Sequence, residues 1–199
     1  MKRTSRLPGL ASLLFLLVLL FLPLSASGQD KSSYISLRPG AYFFTGDLDD
    51  LHPHGFYSEF AYGYYVLPVL VIEGAAGYFH DGVNYMDNGV SQGNDIAGAP
   101  VLISLKGVYQ AGGFEAYAGG GAGVYFTWYQ GWRLKGVRVF DARDTVYGGH
   151  IMAGANFDFS PNLFTGFEAR YVFTEKADYS GARVNLDGVV ALVGIGMRF

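Results

Sequence analysis

From residue 33 onward, apolar side chains recur at every second position, the period of a strand whose two faces meet different surroundings. The segment 163–174 shows it plainly. Phe167, Ala169, Tyr171 and Phe173 share one parity, and Gly166, Glu168, Arg170 and Val172 share the other. The same alternation predicts strands at 33–44, 55–66, 69–80, 99–109, 114–126, 145–159, 163–174 and 184–199. Gly or Pro interrupts most windows long enough for several helical turns, so no helix is expected beyond Gln29. The connections alternate in length. Leu67-Pro68, Gln110–Gly113 and Ser160–Asn162 are tight links, whereas 45–54, 81–98, 127–144 and 175–183 are long and polar. Short turns at one end and long loops at the other predict an all-β, eight-stranded antiparallel up-and-down barrel whose ends face different environments.

Alternation alone does not say which face points outward. A water-soluble, lipocalin-like barrel would hold the apolar parity inside; a transmembrane barrel would reverse it. The polar parity comprises Arg38, Glu59, Glu73, Lys106, Glu115, His150, Asp158, Glu168, Arg170 and Arg198, and its acids and bases nearly cancel. That same parity carries Gly40, Gly63, Gly77, Gly119, Gly121, Gly123, Gly154, Gly166, Gly194 and Gly196. The interior of an eight-stranded barrel is just wide enough for side chains to fill, so large charged groups there need small neighbours. On a solvated face those glycines would only weaken the strands. Tyr64, Tyr78, Phe126, Phe159, Tyr171, Phe173 and Phe199 fall near predicted strand ends, as interfacial girdles require. An Arg turned to lipid at mid-bilayer costs about 2–4 kcal/mol, which also favours charges inside. The expectation is therefore a transmembrane barrel with a polar core.

The first 28 residues read as an export signal. Lys2, Arg3 and Arg6 precede the apolar run Leu13–Leu22, and small residues follow to Gly28. Ten residues cover about 15 Å as a helix, half of a hydrocarbon core, so a permanent anchor is disfavoured. Cleavage would leave one barrel domain, 29–199. It would also remove three positive charges and no negative one, moving the formal charge from −3 to −6. No basic surplus exists to neutralise nucleic-acid phosphates. With 50% hydrophobic residues and no Cys, the 199-residue chain is neither disordered nor a disulfide scaffold.

The segment Ala116-Tyr117-Ala118-Gly119-Gly120-Gly121-Ala122-Gly123-Val124-Tyr125 resembles the glycine-rich strand P-Y-x-G-x-G-x-G of small outer-membrane barrels. Ala99–Lys106 resembles their P-[VL]-x-[LV]-x-x-[KR] strand, Phe167–Tyr171 their E-x-R-Y element, and Val193–Phe199 their closing G-[LIV]-x-[YF]-[RK]-F. In this order, the motifs make the chain similar to the OmpA/OmpX-type barrel domain and the OmpW family of Gram-negative bacteria. Gly113-Phe114 stands where a Pro is usual, and Met197 where an aromatic is usual. The resemblance implies an outer-membrane location. It also implies insertion by the barrel-assembly machinery, with Val193, Ile195, Met197 and Phe199 as the C-terminal signal. A structural or surface-interaction role follows from the charge-filled interior; an OmpW-like channel for small hydrophobic molecules is the alternative.

Candidate chemistry is sparse. Lipid A deacylases of similar architecture need a Ser, a His and an acid at the rim. His54 and Ser58 lack their spacing, and parity separates Ser58 from Glu59, so catalysis is not expected. The first long loop holds Asp47, Asp49, Asp50, His52 and His54, read as a solvated acidic loop rather than a metal site. No cofactor is expected. The third loop sets Trp132 beside Arg133, Lys135 and Arg138, a combination suited to lipopolysaccharide phosphates.

Overall fold

The computed structural model describes residues 32–45, 54–87, 90–133, 137–179 and 182–199. The leader expected at 1–28 lies outside them. Among the described residues there are ten strands and no helix: β1 (Ser33–Phe44), β2 (Gly55–Leu67), β3 (Leu70–Asp87), β4 (Val90–Ala111), β5 (Phe114–Arg133), β6 (Val137–Asp158), β7 (Leu163–Thr174), β8 (Ala177–Tyr179), β9 (Ala182–Val184) and β10 (Gly188–Arg198). Eight of them close an antiparallel barrel in the order β1-β10-β7-β6-β5-β4-β3-β2, and β8 and β9 form a separate hairpin. Each barrel strand pairs with its chain neighbour, except that β10 pairs with β1 to close the wall, from Tyr34↔Arg198 to Phe44↔Gly188.

The tight links hold as turns. Gly112 takes φ +61° between β4 and β5, a conformation only glycine adopts without penalty. Pro39 and Pro100 lie inside strands, and each coincides with a break in one ladder. The β1–β10 pairing passes from Leu37↔Ile195 to Gly40↔Leu192, and the β3–β4 pairing from Ala76↔Val101 to Phe79↔Gly98. Proline has no N–H to donate, so one neighbouring strand loses a bond at each position.

The four central strands are longer than their alternation predicts. The stretches 81–98 and 127–144, expected as loops, are almost entirely strand, paired as far as Asp87↔Val90 and Arg133↔Val137. At about 3.3 Å per residue and a 40° tilt, the 22 residues of β4 rise roughly 55 Å, against about 30 Å for the 12 residues of β1. The ladder continues because its bonds are made by backbone, whatever the side chains. The hydrophobic alternation fades because the outer face turns polar there, while inward positions such as Ile96 and Ala142 remain apolar only here and there. The fourth connection also departs from expectation: 177–184 folds into the β8–β9 hairpin, and the last barrel strand starts at Gly188 instead of 184.

The apolar parity faces outward. Leu37, Phe60, Ile103, Ile151, Phe167, Val193 and Ile195 are all exposed, as are the aromatics Tyr64, Tyr78, Phe126, Phe159, Tyr171, Phe173 and Phe199. The interior lies along the opposite parity. Its glycines are filled by their neighbours: a Cβ on Gly63 would stand 2.2 Å from the Tyr34 ring, and one on Gly196 2.2 Å from Phe164.

Candidate functional site

Halfway along the barrel the interior is a disc of charge. Three acids (Glu59, Glu73, Glu168) and three bases (Arg38, Lys106, Arg170) arrive from five strands, and all six residues are buried. Arg38 reaches Glu59 at 3.0 Å, Glu73 at 2.7 Å and Glu168 at 2.8 Å. Lys106 bridges Glu73 (2.8 Å) and Glu168 (3.1 Å). Arg170 meets Glu59 through both terminal nitrogens, at 2.8 and 3.0 Å, and Glu168 at 2.5 Å. The register accounts for the meeting, since Arg38 stands opposite Glu59 and the strand neighbours Glu168 and Arg170 enter from across the barrel.

Phenols complete the acids. Tyr34 donates to Glu73 (2.5 Å), Tyr57 to Glu59 (3.0 Å) and Tyr117 to Glu168 (2.9 Å). Lys106 Nζ also lies 4.4 Å from the centre of the Tyr117 ring. Charges withdrawn from water are tolerable only when paired and hydrogen-bonded; every charge of this disc is paired, and Arg38 Nε is the disc's buried charged-group nitrogen left without a partner. A residual cavity of about 10 Å³ remains beside Arg38, Glu73, Lys106 and Glu168, room for about one water. His150 accompanies the disc, hydrogen-bonded through Nε2 to Ser104 at 2.9 Å, with both side chains buried.

Toward the short turns a second group closes the mouth. Glu115 accepts from Tyr65, from Asn156 at 2.7 Å and from Gln110 at 2.9 Å, and pairs with Arg198 at 3.3 Å. Arg198 also pairs with Asp158 and covers the Phe164 ring at 4.6 Å. Of the ten polar-parity residues read from the sequence, eight are buried, Arg198 is half-buried and Asp158 is exposed at this mouth.

Toward the long hairpins the interior turns apolar. Tyr42 stacks on Phe44 (4.4 Å) and meets Phe79 edge-on at 5.3 Å, with Tyr57, Leu102, Tyr125, Val172, Val190 and Leu192 around them. The β8–β9 hairpin covers this layer. Tyr179 stacks on Tyr129 at 5.5 Å, the Asp178 amide donates to Asp144 at 2.7 Å, and the Tyr42 hydroxyl donates to the Leu186 carbonyl. Burial there pushes the Tyr179 phenol up to about 12.

Sequence reasoning missed the tyrosines that serve the acids, although Tyr34, Tyr57 and Tyr117 share the parity of Arg38, Glu59 and Glu115. Of the third-loop set, Trp132 and Arg133 end β5, and Arg138 pairs with Trp132 across to β6, next to a register shift. Lys135 lies outside the described residues, as do Asp47, Asp49, Asp50 and His52.

No family model and no curated protein matches the chain. Solved structures do. The barrel matches Ail, the attachment invasion locus protein of Yersinia pestis, with a TM-score of 0.57 at 16% identity over 86% of this chain and 100% of that one. This is the fold of the small outer-membrane barrels. The N-terminal β-barrel domain of Pseudomonas aeruginosa OprF matches with TM-score 0.56, 14% identity and coverage of 86% and 100%. OprG of the same organism gives 0.56, 17%, 86% and 98%. The fold also takes in an enzyme, since the Escherichia coli outer membrane protease OmpT matches with TM-score 0.51, 11% identity and coverage of 88% and 99%.

Proposed function

We propose that the chain is an outer-membrane barrel with a sealed interior, exported by a leader spanning residues 1–28, whose role is structural or interactive rather than conductive. The sealed interior carries this reading. A pore needs a continuous aqueous path, and here the paired disc, the apolar layer and the β8–β9 cover stand in series along the axis. The exposed apolar parity supplies the lipid-facing wall, and its exposed aromatics supply the interfacial girdles. Catalysis is not part of the proposal. The Ser104–His150 hydrogen bond is closed off from substrate, with Ser104 4% exposed and His150 1%.

The partners follow from location. Val193, Ile195 and Met197 on β10, and Phe199 just after it, are all exposed and would present the assembly machinery with an apolar closing strand. Trp132, Arg133, Lys135 and Arg138 would meet lipopolysaccharide. Reconstitution in planar bilayers tests the central claim. The expected result is no steady single-channel current; defined conductance steps would favour an OmpW-like channel instead. Changing Arg133, Lys135 and Arg138 to Ser should weaken lipopolysaccharide binding, and unchanged affinity would remove that contact from the account.

A further inference from the structure

We propose that the β8–β9 hairpin is a hinged cover and that the Asp144 carboxylate is the latch that holds it shut. The inference deepens the sealed-interior reading above and rests on it. Between β7 and β10 the chain leaves the wall, and β8 and β9 pair with each other as a two-stranded sheet of their own. The β6–β7 ladder reaches Gly148↔Thr174, while β6 runs on past it to Val137. One further bond follows, from the Glu175 amide to the Tyr147 carbonyl at 2.9 Å. Beyond it side chains take over the fastening.

The two ends of the cover are held differently. At its base Thr174 and Asp187 clasp each other. The Thr174 amide donates to Asp187 Oδ1 at 2.7 Å, the Leu186 amide to Thr174 Oγ1 at 3.0 Å, and the Thr45 amide to the Asp187 carbonyl at 2.9 Å. Toward the tip a single carboxylate bridges wall and cover. Asp144 Oδ1 accepts from the amide of Thr145, its neighbour on β6, at 2.8 Å, and Oδ2 accepts from the Asp178 amide of β8 at 2.7 Å. The Asp144 carbonyl accepts from Thr127 Oγ1 at 3.0 Å, so β5 steadies the latch residue. The stack of Tyr179 on Tyr129 adds adhesion. Beneath lies the apolar layer, in which Ala177, Tyr179 and Leu186 of the cover share one cluster with Ala142 and Val146 of β6. Strands of three residues close few backbone bonds, so this segment opens at a lower cost than the wall does. Swinging about its clasped base, the cover bares Val146 and Ala142 to water while the charged disc below stays shut. The result is a blind apolar vestibule, entered from the long-hairpin end.

The sequence has no Cys, so single cysteines report without background. The test labels Val146→Cys and Ser104→Cys forms of the whole mature chain, in detergent micelles, with a charged water-soluble maleimide. Val146 is 3% exposed within the covered layer, and Ser104 is 4% exposed beside His150. Adding Asp144→Ala should speed labelling at 146 about tenfold or more, the worth of a hydrogen bond to a charged group. Asp144→Asn should fall in between, because its amide oxygen still accepts. Labelling at 104 should stay as slow as before. An unchanged rate at 146 would overturn the latch and leave the sealed interior standing. Equal acceleration at 104 would also overturn it, since the whole barrel would then have loosened. Rapid labelling at both sites with Asp144 intact would overturn the sealed interior itself, and the cover with it.

Discussion

The two halves of the barrel interior are filled by opposite chemistries. Around Arg38 and Glu168 the filling is ionic: each charged group touches two or three partners, each from a fixed direction. Around Tyr42 and Phe79 it is aromatic and aliphatic, and contact is gained from many directions at once. Apolar packing tolerates changes of shape so long as volume is kept. An ion network tolerates changes of shape poorly and changes of charge hardly at all. The disc therefore sets which strands face each other across the axis, and the aromatic layer adds cohesion without demanding one arrangement.

Near-isosteric substitutions separate the halves most sharply. Glu168→Gln keeps the volume but removes the charge shared by Arg38, Lys106 and Arg170, leaving three cations against two anions. A loss of about 3–5 kcal/mol is expected, read from urea unfolding followed by tryptophan fluorescence. A loss below 1 kcal/mol would erase the contrast. Gly63→Ala should cost about 1–3 kcal/mol by pressing a methyl into the Tyr34 ring and, through it, disturbing Glu73. Phe79→Leu, in the apolar half, should cost under about 1.5 kcal/mol in the same assay. The smallest effect belongs to the cover. A double-mutant cycle on Tyr129 and Tyr179 should return a coupling of about 0.5–1.5 kcal/mol, with the barrel intact on unheated gels.

Much of this architecture is legible in the sequence, and the rest is hidden for identifiable reasons. Parity is local, so Glu168 and Arg170 declare their face within one strand, and the glycines on that face declare that the space is tight. Partnership is not local. Nothing near Arg38 announces that Glu168 will be 2.8 Å away after a separation of 130 residues. The extended hairpins escaped for a different reason. Beyond the apolar band Asn84, Asp95 and Gln130 fall on the outer parity, and the inner parity mixes Thr127 with Ile96 and Ala142, so a two-faced pattern has little to record. The inward aromatics were obscured because Tyr and Phe serve both faces. Tyr42 and Phe44 belong with Arg38, while Phe43 between them is exposed.

The separation between Arg38 and Glu168 bears on how the protein is built. An early-emerging strand brings a cation whose counter-ions include one delivered only near the end of synthesis. A partial wall, lacking β7 and β10, would offer uncovered charge to hydrocarbon and meet a steep energetic obstacle. For the outer-membrane barrel proposed above, insertion one hairpin at a time is thus discouraged, and entry into the bilayer would be a single concerted event that waits for β10.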